Sequence, residues 1–347
     1  MLFPQASSNT RARHILRRVA HLIATGVDGP VGVACSGGTD STGLLLGAAH
    51  AWQTGRLHPF VVLHVDHRTR PESAAEGQHV ARLAMHLGVP VELLQVGDAT
   101  SKSGSPEESL RKQRYAALAA AVRRLGLTGV VTAHTVDDQV ETILLRLLAG
   151  TGALGATGMA ATSTLSTCEG MLRVFRPLLS VRRAELSTIV AEAGVTPVED
   201  PSNLDTRYRR NALRQEIVPH LERHFPGFSE ALVRSVALSA QDAEFVDDVA
   251  ASVAETVITR HGSVVSLSRA WVAESHPAVT SRVIRLVVRE LLGSVDREIG
   301  YERTEAVRAA ARGRTGAVVE LPFGIRVVVA RGSLDFSRMR KTDGDTG

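Results

Sequence analysis

The segment VGVACSGGTDSTGLLLGAAH, residues 31–50, joins an apolar run to a second apolar segment through a short polar loop. The run 31–35 predicts a buried strand, and the residues from 41 onward predict a helix. Between them lie two glycines, three hydroxyl residues and one carboxylate: Ser36, Gly37, Gly38, Thr39, Asp40 and Ser41. Glycines let backbone N–H groups approach an anion, and a helix N-terminus carries partial positive charge. The loop therefore predicts a phosphate site.

Asp40 is the unexpected member of this loop, because a carboxylate repels a bare phosphate. Its presence indicates either a magnesium ion that bridges the two groups or a partner arginine. The alternative is that the segment is an ordinary loop in which Asp40 caps the helix N-terminus.

Strands and helices alternate along the first 215 residues. Apolar runs predict strands at 31–35, 60–65, 91–96, 129–133 and 172–175. Helical patterns fall at 8–24, 41–54, 72–87, 106–125, 136–149 and 181–193. This order predicts an α/β domain with a parallel five-stranded sheet and helices on both faces. Ligands of such sheets bind at the C-terminal ends of the strands, which is where the loop lies.

The pattern changes after residue 215. A long helix at 229–258 and shorter ones at 277–292 and 301–312 precede a hairpin formed by 316–322 and 325–336. The sequence therefore predicts a catalytic domain over 1–215, a smaller C-terminal helical domain over 216–336 that ends in a β-hairpin, and a disordered tail over 337–347. The glycine-rich segment 149–160 is predicted to be a loop.

Composition narrows the class of protein. The 40 basic and 36 acidic residues give a net charge of only +4, and three of the basic residues are lysines. Cys35 and Cys168 are the two cysteines, which excludes a disulfide framework and a four-cysteine metal site. No apolar stretch of about 18 residues and no secretory signal is present. We therefore expect a cytoplasmic protein without membrane contact, and the sequence leaves open whether it forms a homodimer.

Two basic clusters lie in segments with helical character. In SLRKQRY, 109–115, Arg111 and Arg114 are three residues apart and share a helical face, as two phosphate contacts would. In TRYRRNALR, 206–214, Arg207, Arg210 and Asn211 could meet an RNA backbone or an activated base. The alternative is a solvated helix start capped by Asp200. A third cluster is RARHILRR, 11–18. The alternative explanation of the arginine content is genomic base composition.

The segment AHTVDDQVET, 133–142, carries three acids after a strand. If the helix begins near Val136, Asp137 and Glu141 share a face and Asp138 is rotated by about 100°. Two carboxylates on one face suit a cationic substrate. Alternatively, these acids only complement the helix dipole. His134 lies at the strand end and could face a nucleotide.

His64, Asp66 and His67 suggest a metal site. Alternation along a strand, however, places residues 64 and 66 on one face and residue 67 on the other. We therefore favour contacts with adenosine for His64 and Val65, near the end of the second strand.

The loop SGGTDS resembles the SGGxDS signature of the N-type ATP pyrophosphatases, or PP-loop enzymes. Further motifs resemble the tRNA(Ile)-lysidine synthase family in the same order along the chain: HVDHRTR at 64–70, SLRKQRY at 109–115, AHTVDDQVETILLRLLAGTG at 133–152, RPLL at 176–179, DPSN at 200–203 and RRNALR at 209–214. The resemblance implies an adenine nucleotide hydrolase-like fold.

The resemblance also implies an activity. A member of this family uses ATP and Mg²⁺ to adenylate the wobble cytidine of tRNA(Ile) with the anticodon CAU, then joins free L-lysine to C2 of that base. AMP and pyrophosphate are released, and the codon that is read changes from AUG to AUA. The C-terminal domain would contact the tRNA.

The resemblance assigns the site residues by role. The catalytic set is Asp40, Arg111, Arg114, Asp137, Asp138 and Glu141, with the last three at lysine. The ATP set is the loop 36–41 with His64, Val65 and His134, and Asp40 is also a possible Mg²⁺ contact. Arg207, Arg210 and Asn211 are the substrate or RNA set.

Two other functions are compatible with this fold. A cytidine thiolase of the same superfamily is expected to need catalytic or cluster-binding cysteines, and two distant cysteines do not fit. A non-catalytic nucleotide-binding or RNA-binding module would not require the acids at 137, 138 and 141 together with the arginines at 111 and 114.

Overall fold

A computed structural model describes residues 9–66, 73–96, 106–150, 157–198, 205–293 and 299–339. His67, Asp200 and the tail from residue 340 lie outside this part, so the predictions made for them stay predictions. The chain divides into two compact units. The first ends at Ser235, and the second contains Thr157 and the residues from Val236. The division falls inside a helix, whereas the sequence predicts a domain boundary after residue 215.

The first unit is built on a six-stranded sheet. Its strands are β1 (Val31–Ala34), β2 (Val61–Asp66), β3 (Val91–Gln95), β4 (Gly129–Val131), β5 (Thr162–Thr167) and β6 (Gly170–Phe175). They lie in the order β3-β2-β1-β4-β6-β5. The five predicted strands are all present and parallel to one another. The added strand, β5, is antiparallel to β6 at the edge of the sheet.

The helices of this unit cover both faces of the sheet. They are α1 (Thr10–Gly26), α2 (Thr39–Gln53), α3 (Ser73–Leu87), α4 (Pro106–Arg124), α5 (Val136–Leu148), α6 (Arg183–Glu192), α7 (Arg209–Ala212) and α8 (Val218–His224), with a π-helical turn at Leu213–Ile217 between the last two. Neighbouring strand residues enter different cores: Val62 packs with α1, α2 and α6, and Leu63 packs with α4. This alternation is expected of a sheet that is buried on both sides.

The second unit contains most of α9 (Phe228–Val257) and a five-stranded antiparallel sheet. Its elements after α9 are β7 (Ile258–His261), β8 (Val264–Ser268), α10 (Arg269–Glu274), α11 (Pro277–Leu292), α12 (Tyr301–Ala311), β9 (Val318–Leu321), β10 (Ile325–Val329) and β11 (Ser333–Arg338). The strand order is β7-β8-β11-β10-β9.

The predicted terminal hairpin is therefore part of a larger sheet. β7 and β8 add a second hairpin that turns at Gly262, where φ is +60°. The strand β11 continues to Arg338 and so enters the predicted tail 337–347. This unit has its own core, which includes Val287, Val327 and Leu334.

No helix in the described ranges has the length and apolar character of a membrane span.

Candidate active site

Three neighbouring strands of the first sheet carry the polar segments singled out in the sequence. β1 leads into the SGGTDS loop, β4 leads into His134 and α5, and β6 leads into Arg176 and α6. Because parallel strands end at the same edge of a sheet, these three segments meet there.

The SGGTDS loop is closed on itself by the Ser41 hydroxyl. It accepts a hydrogen bond from the Ser36 N–H at 3.2 Å, lies 3.1 Å from Ser36 Oγ and donates to the Gly38 carbonyl at 3.0 Å. Gly37 has φ +90°, and a Cβ there would lie 3.0 Å from Val198. The carbonyl of Gly37 accepts from the Val198 N–H at 2.9 Å. Glycine is therefore required by both backbone conformation and packing.

The helix after this loop begins at Thr39, two residues before the predicted start, and Gly38 is its N-cap. Asp40 lies inside the first turn, so the alternative that Asp40 caps the helix is wrong. The first turn of α2 therefore presents the N–H groups of a helix N-terminus beside a glycine turn, which is an arrangement that binds phosphates.

Asp40 contacts a partner arginine. Its Oδ2 accepts a hydrogen bond from Nε of Arg183 at 2.7 Å. Its Oδ1 is buried and has no hydrogen-bond partner among the described residues. Burial raises the pKa of Asp40 above its ordinary value, and the Arg183 charge opposes that rise.

The free oxygen of Asp40 fits a Mg²⁺ ligand, since Mg²⁺ prefers carboxylate oxygens and keeps several waters or phosphate oxygens. Within the described residues, no group of three His, Cys, Asp or Glu side chains could hold a metal by itself. A magnesium ion held here would therefore take its other ligands from nucleotide phosphates and water.

α5 begins with a capping box. The Thr135 side chain accepts from the Asp138 N–H at 3.4 Å, and the Thr135 N–H donates to Asp138 Oδ2 at 2.9 Å. This arrangement fixes Asp138 Oδ2 toward the helix start and leaves Oδ1 for the arginines. Burial raises the pKa of Asp138. Arg183, the Thr135 N–H and other nearby groups lower it by a larger amount, so the net pKa lies below its ordinary value.

Glu141 lies one turn along α5 and is the most buried acid of the site, with 2% of its side chain exposed. Arg214 holds it through two hydrogen bonds, from Nε at 2.7 Å and from Nη2 at 3.0 Å. Arg210 Nε lies 3.1 Å from Oε2, and Arg183 Nη1 lies 3.9 Å from Oε1. A buried carboxylate is expected to be paired in this way.

The acids are grouped differently from the prediction. Asp138 and Glu141, rather than Asp137 and Glu141, share two arginines: Arg183 and Arg214. Spacing of three as well as four places helical side chains together, and the capping box turns Asp138 toward this pair. Asp137 accepts instead from the Arg183 N–H at 2.8 Å and lies 3.9 Å from Arg182.

Arg183 joins the two halves of the site. One guanidinium contacts Asp40 at 2.7 Å, Asp138 at 3.3 Å and Glu141 at 3.9 Å. Burial opposes its charge, but Asp40 and Asp138 raise the pKa of Arg183 above its ordinary value. This arginine is therefore a fixed cation between the phosphate loop and the acids of α5.

His134 lies beside these groups, with Nδ1 2.8 Å from the Thr132 hydroxyl. Burial, and then the charges of Arg176, Arg114 and Arg111, lower the pKa of His134 to about 4 against the opposing effect of Asp138. The ring is therefore neutral at neutral pH.

Arg111 and Arg114 extend from α4. Their guanidinium carbons lie 5.5 Å and 5.7 Å from the centre of the buried Tyr115 ring. Such distances are typical of cation–π contacts. Both charges contribute to lowering the pKa of His134.

The three residues predicted to contact substrate or RNA do not all lie in the acid cluster. Arg210 belongs to the acid cluster, and its Nη2 donates to Thr142 at 3.0 Å. Arg207 is exposed and pairs with Asp205 at 2.7 Å. Asn211 donates to the Asp205 carbonyl at 3.0 Å. Arg207 and Asn211 therefore brace the start of α7, and their predicted contacts with substrate stay predictions.

The two nucleotide contacts predicted on β2 are well placed in the fold. His64 is buried, and its Nδ1 lies 2.9 Å from the Cys35 carbonyl, just before the phosphate loop. Val65 is half-buried on the same strand. Their predicted contacts with adenosine stay predictions.

Sequence reasoning missed four residues that shape this site. Arg183 and Arg214 supply most of the ion pairs described above. Arg176 is buried and donates to the Ala160 carbonyl and Ser163 Oγ, each at 2.9 Å. Gln139 exchanges two hydrogen bonds with Met159. One signal was available: Arg210 and Arg214 are four apart in RRNALR and so share a helical face.

Comparison with known proteins agrees with this site. Residues 11–221 match the PP-loop domain family. The chain is 37% identical over 325 residues to a tRNA(Ile)-lysidine synthase of Salinispora arenicola, which covers 92% of this chain and 94% of that protein. It is 30% identical over 296 residues to a tRNA(Ile)-lysidine synthase of Dehalococcoides mccartyi, covering 84% of this chain and 62% of that protein.

A solved structure shows the same fold. A U34-tRNA thiolase from Methanococcus maripaludis, with its 4Fe–4S cluster, superposes with a TM-score of 0.54 at 11% identity, covering 66% of this chain and 80% of that one. Both the family match and the close relatives span the phosphate loop and the α5 acids. The chain therefore belongs to the tRNA(Ile)-lysidine synthase family, whose catalytic part is a PP-loop domain.

Proposed function

We propose that this chain joins free L-lysine to C2 of the wobble cytidine in tRNA(Ile) with a CAU anticodon, at the expense of ATP. The products are lysidine in the tRNA, AMP and pyrophosphate, and the modified anticodon reads AUA instead of AUG. The reaction would take place in the cytoplasm, with Mg²⁺ bound to the nucleotide.

The observation that carries this proposal is the position of Arg183. It contacts Asp40 of the phosphate loop and the acids of α5 through one guanidinium. A ligase that first activates a base with ATP and then adds an amine needs its nucleotide site and its amine site side by side. Groups held in fixed positions make each step effectively unimolecular.

In the first step, O2 of the cytidine attacks the α-phosphorus of ATP, and pyrophosphate leaves. Negative charge grows on the phosphate oxygens. The N–H groups at the start of α2, together with Arg111 and Arg114, would stabilise that charge. Asp40 would hold Mg²⁺, and the ion would supply further neutralisation of this charge.

In the second step, the ε-amine of lysine attacks C2 of the adenylated cytidine, and AMP leaves from that carbon. The ammonium must lose a proton first, since its reference pKa is about 10.4. Four carboxylates face four arginines in this cluster: Asp40, Asp137, Asp138 and Glu141 against Arg182, Arg183, Arg210 and Arg214. The arginines limit how far the acids raise the pKa of the bound amine, which favours its deprotonation.

The proton acceptor would be one of the α5 acids or neutral His134. At neutral pH the His134 ring is unprotonated. It lies close enough to Asp138 for their charges to interact.

A cytidine thiolase is less well supported. The thiolase with the same fold carries a 4Fe–4S cluster, and such clusters are held by several cysteine thiolates. Here Cys35 is buried, with a pKa that burial raises, and Cys168 is exposed. A buried protonated thiol is a weak nucleophile and a weak ligand.

The test is transfer of labelled lysine, with ATP, to a tRNA(Ile) transcript that has a CAU anticodon. A transcript whose wobble cytidine is changed to uridine is the matched control. We expect lysine in the first transcript only, with equal amounts of AMP and pyrophosphate. Lysine incorporation into both transcripts, or ATP cleavage without lysine transfer, would rule out this substrate assignment.

A further inference from the structure

We propose that the outward face of α1 is a second contact surface for the tRNA and binds its phosphate backbone. This inference rests on the proposed function, because it takes the tRNA as the partner. The surface, called here the α1 basic face, consists of Arg11, His14, Arg17, Arg18 and His21.

The charge of α1 is one-sided. Its 17 residues include four arginines and two histidines and contain no aspartate or glutamate. Some exposed arginines elsewhere in the first unit are neutralised: Arg123, Arg124 and Arg173 each pair with an acid at 2.9–3.0 Å. Arg11 and Arg17, by contrast, form no ion pair with any residue that the structure describes.

The basic residues of α1 are arranged on one side of the helix. At 100° per residue the five residues of the α1 basic face fall within an arc of about 120°, with Arg13 about 40° outside it, and from Arg11 to His21 they extend about 15 Å along the axis. That length can meet several consecutive phosphates of one nucleic-acid strand. The burial pattern agrees, because Arg11, His14, Arg17 and His21 are exposed, whereas Ile15 and Val19 are buried.

The positive surface continues onto α2. Burial lowers the pKa of His50, and the charges of Arg56 and Arg17 lower it further, so these two arginines lie near the same imidazole. Arg56 is exposed and, like Arg17, forms no ion pair within the described ranges. Repulsion among unneutralised cations is a cost that a bound polyanion removes.

An RNA fits this surface better than a membrane does. Membrane-surface helices insert an apolar face into the lipid. The apolar face of α1 is already buried in the protein: Ala12, Ile15, Leu16, Val19, Ala20 and Ile23 all lie in its interior. The face that remains is cationic, with no apolar anchor, which is the chemistry of a phosphate-backbone contact.

One contact ties this face to the active site. Arg18 donates to Glu185 at 2.8 Å and to the Ser180 carbonyl at 2.7 Å. Ser180 lies just before α6, and Glu185 lies in its first turn, next to Arg183. A phosphate-backbone contact at α1 would therefore be made on a helix that is hydrogen-bonded to α6, which carries Arg183.

The experiment compares the wild-type chain with the double variant R11Q/R17Q. Binding of the CAU tRNA(Ile) transcript is measured without lysine from 50 to 300 mM NaCl, and lysine transfer is measured separately. The double variant R123Q/R124Q removes the same charge from another exposed surface and is the control. Thermal unfolding of each variant checks that the fold is retained.

We expect R11Q/R17Q to raise the Kd for the tRNA about tenfold at low salt and to reduce the slope of log Kd against log salt by about 2, one for each lost phosphate contact. The control should change the slope by less than half as much. The kcat and the KM values for ATP and lysine should stay at wild-type levels, because neither arginine contacts the site.

Equal slopes for R11Q/R17Q and wild type would overturn the inference. So would binding to vesicles containing anionic phosphatidylserine that R11Q/R17Q abolishes while tRNA binding is unchanged. Failure of the proposed function has a different signature: the wild-type chain would transfer no lysine, whatever the variants do to tRNA binding.

Discussion

Asp40 is a carboxylate inside a phosphate-binding loop, and its neighbours explain how it is tolerated there. One oxygen is held by Arg183 at 2.7 Å, and the other is buried without a hydrogen-bond partner among the described residues. An unsatisfied buried carboxylate oxygen costs free energy unless a ligand completes it. At the residue scale, Asp40 is thus prepared for a cation that arrives with the nucleotide.

We expect Asp40→Asn to lower the rate of pyrophosphate release from ATP by about 10²-fold or more, because the amide carries no charge for Mg²⁺ and no ion pair for Arg183. The measurement is release of labelled pyrophosphate in the presence of tRNA. Asp28→Asn is the control, since Asp28 is exposed and pairs only with Arg173 at 3.0 Å. Activity of Asp40→Asn within threefold of that control would contradict the assigned role.

His134 gives a prediction about pH and stability. Its pKa in the folded chain is about 4, below the ordinary value of 6.5 for a histidine. Between these pH values His134 binds a proton in the unfolded chain but not in the folded chain. The free energy of unfolding therefore falls as the pH is lowered from about 6.5 to about 4. Above pH 6.5 His134 is neutral in both states and contributes no slope.

We expect His134→Asn to flatten this part of the stability profile. The asparagine does not titrate, so the free energy of unfolding should fall less between pH 6.5 and 4 than it does in the wild-type chain. Urea unfolding at several pH values measures the difference. Parallel profiles for the two proteins would show that another group causes the acid destabilisation.

At the scale of elements, the first turn of α5 is held by two sets of side-chain hydrogen bonds. Thr135 and Asp138 cap its start. Further along, Gln139 Nε2 donates to the Met159 carbonyl at 2.8 Å and Oε1 accepts the Met159 N–H at 2.6 Å. This clamp fixes the helix that carries the acids against the segment that precedes β5.

Gly158 is essential to that clamp. Its φ is +73°, and a Cβ there would lie 2.7 Å from Gln139 Oε1. Gly150 also has φ +73°, but a Cβ at that position meets no atom of the described residues within 4 Å. Substitutions at the two positions therefore separate the effect of backbone strain from that of a steric clash.

We expect Gly158→Ala to destabilise the chain more than Gly150→Ala by about 1–3 kcal/mol. Both variants carry the cost of a left-handed alanine, but only the first breaks the buried hydrogen bonds of Gln139. Denaturant unfolding of the two variants gives the comparison. Equal losses of stability in the two variants would mean that the backbone around residue 158 shifts enough to accommodate the added Cβ without strain.

The strands differ in how well the sequence predicts them. Apolar runs identified all five parallel strands, including β3, which lies at the sheet edge and is only partly buried. The strand β5, TSTLST, was missed because its alternating hydroxyl residues form a half-exposed edge. β7 was missed because helical periodicity continued through residue 258, and β8, which pairs with β7, was missed with it. A strand is thus predictable from the sequence where its residues form an apolar run, and it is missed where only pairing with a neighbouring strand determines it.

The residues of the site also differ in whether the sequence predicts them. Ser36–Ser41, His134 and the α5 acids stand in local motifs, so their position at the sheet edge was predictable. Arg183 was not, because its partners Asp40 and Asp138 are 143 and 45 residues away in sequence. Likewise, helix geometry alone favoured pairing Asp137 with Glu141, whereas long-range arginines select Asp138.

At the scale of the whole molecule, each compact unit has a separate core. Leu186 is fully buried in the first, among residues of α1, α2 and the sheet. Leu334 is fully buried in the second, on β11. Two cores of this kind predict two unfolding transitions rather than one, as in many chains with two domains.

Matched cavity variants test this. Leu186→Ala and Leu334→Ala each remove the same atoms from a closed core, and each should cost about 2–5 kcal/mol in its own unit. ATP binds the folded first unit, so calorimetry with and without ATP identifies its transition as the one that nucleotide raises. We expect Leu186→Ala to lower the ATP-sensitive transition and Leu334→Ala to lower the other. If either variant shifts both transitions equally, the two cores unfold as one cooperative unit, and variants of the second unit would then also weaken nucleotide binding.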